Sequence, residues 1–246
     1  LLVNVYKPFV LSLFSLFSLR TEKFIYLKTS MIILKKRYIK MLTKKQFKIL
    51  SIFQRNTFRE YTYKEIKEQS KENSNSVVQD AIKAFLKEEI IVKRAIGTSK
   101  LYMINHKNEK VYLYFEILNK ESLPRQILDT IKELKNTLDK HTFFYSIVIF
   151  GSYTLGEQKK NSDLDVAVFI EREDTRKTVE AVFKSMDLKS FVKVDGHVIT
   201  KEEFLEMLKV DYENLGKEIA RKHLIMHNAD VFYSLLKEGV RYGFKL

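Results

Sequence analysis

From Leu42 to Gln54 apolar side chains fall at Phe47, Ile49, Leu50, Ile52 and Phe53, with lysines mostly between them. Steps of three and four predict an amphipathic helix. A second, short helix is predicted over Tyr63–Gln69, where Thr62 as N-cap and Glu65 at the third helical position form a capping box. A third runs from about Ser76 to Lys87, with Val78, Ala81, Ile82 and Phe85 on one face. The pattern then changes. Ile90–Ala95 and Leu101–Asn105 are β-rich runs joined by Ile96-Gly97-Thr98-Ser99-Lys100, a hairpin signal. Val111–Leu118 fits a strand or a helix equally well by periodicity. Ser122–Leu138 is predicted as a helix capped by Ser122, with Pro124 in the first turn and Ile127, Ile131, Leu134 and Leu138 in one stripe. Phe143–Phe150 reads as a buried strand, and the run Ser162 to Phe169 as the next. Phe191–Thr200 alternates as a third, with Lys193, Asp195 and His197 on one face. Helices open at Lys201, over Glu213–Lys222, and over Val231–Val240.

Three helices followed by a hairpin, over residues 41–107, resemble a winged helix-turn-helix. Charge makes that order informative. Residues 1–40 and 41–110 each carry a net charge of +7, whereas residues 111–246 carry −1. A basic front half suits a polyanion. In that resemblance the third helix enters the DNA major groove and the hairpin touches backbone, so the candidate phosphate contacts are Lys83, Lys87, Lys93, Arg94 and Lys100. Such modules also dock proteins, and Glu88 and Glu89 dilute the basic patch. Residues 108–142 are read as connecting helices.

The absence of cysteine excludes a disulfide scaffold, a thiolate zinc site and a cysteine nucleophile. The apolar run Pro8–Leu19 is too short to span a bilayer, for which about 20 residues are needed. No small-residue cleavage site follows it, and residues 1–40 are read as a non-native or disordered extension ahead of the folded chain. The expectation is a cytoplasmic protein with no membrane partner.

The chemistry is concentrated between Phe150 and Asp165. The first strand runs into Gly151-Ser152, ten residues intervene, and the next strand opens with Asp163-Leu164-Asp165. Glycine lets backbone approach a ligand closely, and nearby N–H groups and the Ser152 hydroxyl can donate to phosphate oxygens. Asp163 and Asp165 stand two apart on a strand, so both carboxylates share a face. Two hard anionic ligands beside a phosphate cradle suit Mg²⁺ held with its nucleotide.

Gly-Ser, ten residues and Asp-x-Asp, with Gly156 and Ser162 in place, resemble the signature of the DNA polymerase β-like nucleotidyltransferase superfamily, in particular its minimal, antitoxin-type members. The resemblance covers about residues 143–243. It implies an α+β architecture, a winged helix domain followed by a mixed sheet flanked by helices at 143–246. It also implies two Mg²⁺ ions, an NTP substrate, expected to be ATP, and transfer of a nucleoside monophosphate to a hydroxyl with release of pyrophosphate. For minimal members the resemblance offers a tyrosine hydroxyl of a HEPN-type toxin as that acceptor, while related proteins modify antibiotics or RNA ends. Asp195 would be the third carboxylate, a metal ligand and the base for the acceptor hydroxyl, unless Asp195-Gly196 is a hairpin turn. His197 is read mainly as a surface histidine. Lys217 and Arg221, an i,i+4 pair, would face the triphosphate, unless they form a solvated helix face. The competing reading is a DNA-binding regulator whose second half only senses nucleotide.

Overall fold

The computed structural model describes residues 41–245 except 155, 160, 161, 187–189 and 191; the expected extension at 1–40 lies outside the described residues. Helix α1 (Lys44–Arg55) buries Phe47, Ile49, Leu50, Ile52 and Phe53, the residues its periodicity nominates. Strand β1 (Tyr61–Thr62) leads into α2 (Tyr63–Ser70), whose capping box is formed in full: Glu65 N–H donates to Thr62 Oγ1 at 3.2 Å and Thr62 N–H to Glu65 Oε2 at 2.8 Å. Helix α3 (Asn75–Lys87) turns Val78, Ala81, Ile82 and Phe85 inward. The hairpin β2 (Ile91–Ile96) and β3 (Ser99–Ile104) pairs antiparallel, and β1 adds to it in the order β1-β3-β2. Edge strand β2 is exposed at every residue after Ile91.

The ambiguous segment is a helix. In α4 (Lys110–Ser122), Val111, Tyr112, Tyr114, Phe115 and Asn119 are buried. Tyr114 meets Phe47 edge-on at 5.9 Å, while Tyr112 stacks on Tyr233 at 4.8 Å, so both sides of the helix are covered by aromatic rings. The buried Asn119 amide donates to Ile225 O at 2.9 Å and thereby ties α4 to the following sheet. Ser122 does not cap the next helix, as the sequence pattern predicts; it is the last residue of α4. Leu123 is extended, Pro124 is the N-cap residue, and α5 covers Arg125–Leu138. Proline at that boundary has no N–H to lose and disfavours helix in the residue before it.

A four-stranded sheet follows, in the order β6-β5-β4-β7: β4 (Tyr145–Ile149), β5 (Leu164–Ile170), β6 (Val194–Thr200) and β7 (Leu224–His227). Strand β4 is antiparallel to both neighbours, and β5 and β6 are parallel, joined through α6 (Arg176–Met186). On one face Ile147, Ile149, Val166 and Val168 pack with Leu134, Leu138, Val182 and Met186 of α5 and α6. Burial of each such side chain contributes about 1.5–3 kcal/mol. On the other, Phe169 meets Phe204 and Phe232 edge-on at 5.0 and 5.3 Å. Those two rings come from α7 (Lys201–Lys209), opened by a Thr200–Glu203 capping box, and α9 (Ala229–Arg241). Between them lies α8 (Leu215–Arg221), and Asn228 enters α9 in the left-handed conformation at φ 51°. The chain from Lys44 onward forms one unit. No helix among the described residues is long and apolar enough to cross a membrane.

Candidate active site

Strand β4 ends with Phe150 N–H donating to Asp165 O at 3.1 Å, and the chain then turns sharply at Gly151, φ +65°. Residues Gly151–Thr154 form one turn of 3₁₀ helix, closed by Thr154 Oγ1 donating to Gly151 O at 2.7 Å. A Cβ on Gly151 would collide with the Asp165 carboxylate. The turn carrying Ser152 is thus seated directly against the second aspartate of the motif.

The parallel register supplies the third carboxylate. Asp165 on β5 is paired with Asp195 on β6. Asp195-Gly196 is not a turn: both residues lie inside β6, and a Cβ on Gly196 would enter the Phe183 ring of α6, which explains glycine in mid-strand. Burial pushes the Asp165 carboxyl above its ordinary value, and the negative charges of Asp195, Glu218 and Asp163 push it further, with His197 opposing them. His197 lies 3.7 Å from Asp195 Oδ1 and edge-on to Phe150 at 5.6 Å. Asp163 is turned to Lys193, whose Nζ donates to Asp163 Oδ2 at 2.6 Å.

Carboxylate oxygens in this number suit a hard cation such as Mg²⁺, and burial first, then the neighbouring carboxylates, make Asp165 harder to ionise. Among the described residues no three His, Cys, Asp or Glu side chains form a ready-made cage. The donor kind fits the ion; Asp163 would have to leave Lys193 to complete the set.

The remaining candidates separate. Lys217 is buried within α8, at 7% exposure, and Arg221 is held by Glu213 and lies over the Phe244 ring at 5.8 Å. One position along from Lys217, Glu218 is the side chain of α8 whose charge reaches Asp165. Neither Glu218 nor Lys193 carries a signal in the motif; both depend on how β6 and α8 are set against β5. In the first half, Lys87, Lys93 and Lys100 are exposed and Lys83 lies 3.7 Å from Asp80. Arg94 is committed elsewhere, its guanidinium gripping both oxygens of Glu60. A polar cavity of about 450 Å³ adjoins Asp163 and is lined by Tyr153, Gln158, Lys159, Ser162 and Lys193. A larger groove beside β2 contains none of the Gly-Ser or Asp residues.

The glycine-serine turn, Asp163 just before β5, Asp165 within it, and Asp195 on its parallel neighbour all fall within one stretch of the chain. Residues 132–231, from the second half of α5 to the start of α9, match the family model described as polymerase beta, nucleotidyltransferase, and this segment is a nucleotidyltransferase domain of the polymerase β-like superfamily. The match supports a general nucleotidyltransferase activity. No curated protein and no solved structure gives a significant match to the chain.

Proposed function

We propose that the protein transfers a nucleoside monophosphate from an NTP, ATP in the first instance, to a hydroxyl acceptor. The observation that carries this reading is the pairing of Asp165 with Asp195 directly behind the Gly151–Ser152 turn. Asp163, Asp165 and Asp195 would hold Mg²⁺, two ions in all, and Gly151 and Ser152 would hold the terminal phosphates. When bound, the metal lowers the pKa of the acceptor hydroxyl and neutralises the leaving group. Asp195 takes the acceptor proton, the acceptor oxygen forms its bond to the α-phosphorus, and the bond from that phosphorus to the bridging oxygen breaks. Pyrophosphate leaves with that oxygen.

The acceptor named by the resemblance is a tyrosine hydroxyl on a HEPN-type toxin, which would make this an AMPylating antitoxin acting in the cytoplasm. The test is mass spectrometry of such a partner after incubation with ATP and Mg²⁺: a gain of one nucleoside monophosphate on tyrosine supports protein modification, and an unmodified partner refutes it. The +7 charge of residues 41–110 favours DNA as a second partner of the helix-and-hairpin module. In the competing reading that module is a DNA-binding regulator and the second half binds nucleotide without turnover; the three carboxylates argue against it, because a sensor needs no acceptor base.

A further inference from the structure

The parallel register of β5 and β6 also fixes what stands just before each strand. Leu164 is paired with Val194, and Leu164 N–H donates to Lys193 O at 2.8 Å, which sets Asp163 and Lys193 side by side. The ammonium of Lys193 then closes on Asp163 Oδ2 at 2.6 Å. This pair is wet: the Lys193 side chain is 72% exposed and that of Asp163 40%. Exposed pairs of this kind are weak and easily exchanged. A divalent ion carries twice the charge of the ammonium and outcompetes it for the same oxygen.

The surroundings explain why a cation stands there. Asp195 is the register partner of Asp165, and Lys193 is the cation set against the Asp163 end of this carboxylate group. The ammonium also has a place to go. The 450 Å³ cavity beside Asp163 is lined by Lys193 itself with Lys159, Tyr153, Gln158 and Ser162, so the side chain can swing into polar, solvent-filled space without unpacking the core.

We infer that Lys193 is the resident counter-cation of the metal site: it holds Asp163 aside, competes with the divalent ion for Oδ2, and sets the concentration at which the carboxylates load. Lys193 is thus a positioning residue acting through Asp163, and the inference rests on the reading of Asp163 as a metal ligand.

The test needs no nucleotide and no acceptor. Mn²⁺ is titrated into the full chain and free Mn²⁺ is followed by electron paramagnetic resonance. Lys193→Met and Lys193→Gln are expected to bind Mn²⁺ about 2- to 5-fold more tightly than the unaltered protein, the range set by losing an exposed ion pair. Lys193→Arg, which keeps the cation, is expected to bind as the unaltered protein does. Unchanged or weakened Mn²⁺ affinity in both neutral variants, with binding intact in the unaltered protein, overturns the inference. Mn²⁺ binding that is indifferent to Asp163→Asn overturns instead the metal-ligand reading beneath it.

Discussion

Gly151 is glycine because the Asp165 carboxylate occupies the space its Cβ would take. Its left-handed φ adds a second reason. Gly156 is also left-handed, at φ +69°, but has nothing within 4 Å of a built Cβ, and so separates the two effects. Both Gly151→Ala and Gly156→Ala should lower stability by about 1–2 kcal/mol, the cost of a left-handed non-glycine residue. Gly151→Ala should also cut metal-dependent transfer at least about tenfold, because displacing Asp165 disturbs the pre-set geometry on which such catalysis depends. Gly156→Ala should keep transfer near that of the unaltered protein. Urea unfolding and a transfer assay on both variants check this, and equal activity losses would contradict it.

Asp195 is the direct register partner of Asp165 on β6, and the proposal makes it the base for the acceptor hydroxyl. Asp195→Asn should lower transfer by about 10²–10⁴-fold, the usual size of general-base catalysis. ATP affinity, which the proposal assigns to Ser152, Asp163 and Asp165, should change much less. Persistent activity in this variant would move the proton-accepting role to His197 or Glu218.

Two half-buried histidines make stability depend on pH. His106 lies among Thr57 O, Tyr112 and the Phe58 ring, and burial pulls it down to about 4; His223, enclosed between Ile219 O and Tyr233, is also pulled to about 4. Between about 4 and the ordinary 6.5 the unfolded chain binds more protons than the folded one, so stability falls as pH falls through that window. The loss is at most about 3 kcal/mol for each histidine. Comparing urea midpoints at pH 7 and pH 5 tests the sign. His106→Gln should show a smaller difference than the unaltered protein.

The helix-and-hairpin module makes a prediction that separates its basic residues. If the full chain binds DNA through Lys83, Lys87, Lys93 and Lys100, the logarithm of affinity should fall steeply with the logarithm of salt, and replacing all four with alanine should flatten that slope by about three to four units. Arg94→Ala should alter it little, because that guanidinium is already held by Glu60. Salt-insensitive binding, or a slope untouched by the four substitutions, would remove DNA from the partners.

Local chemistry was readable from the sequence and relative placement was not. The Thr62–Glu65 cap forms within four residues, and the stripes of α1, α3 and α5 need no partner to be seen. The Gly151–Ser152 turn belongs to the same kind, whereas the expected shared face of Asp163 and Asp165 does not: Asp163 precedes β5, which begins at Leu164, and its carboxylate is turned to Lys193. Strand β7 escaped notice because four residues leaving α8 without a glycine or proline give no period to read. The α4 segment was ambiguous because rings from α1 and α9 cover both its sides, which blurs the periodicity of a single face. Asp195-Gly196 carried the composition of a turn, and the Phe183 ring that demands the glycine sits on another element. Lys193 beside Asp163 and Glu218 toward Asp165 follow from the β5–β6 register and the docking of α8, which no linear pattern records.

The central claim, that the three carboxylates support metal-dependent nucleotidyl transfer, is tested most directly by pyrophosphate release from ATP with and without Mg²⁺, on the unaltered protein and on Asp163→Asn and Asp165→Asn. Release should require Mg²⁺ and should be lost in both variants. Neither substitution should lower the unfolding midpoint at neutral pH by much, since Asp165 is harder to ionise in the folded protein than in the unfolded chain and its charge therefore opposes folding there. Pyrophosphate release that persists in folded Asp163→Asn or Asp165→Asn protein would contradict the claim.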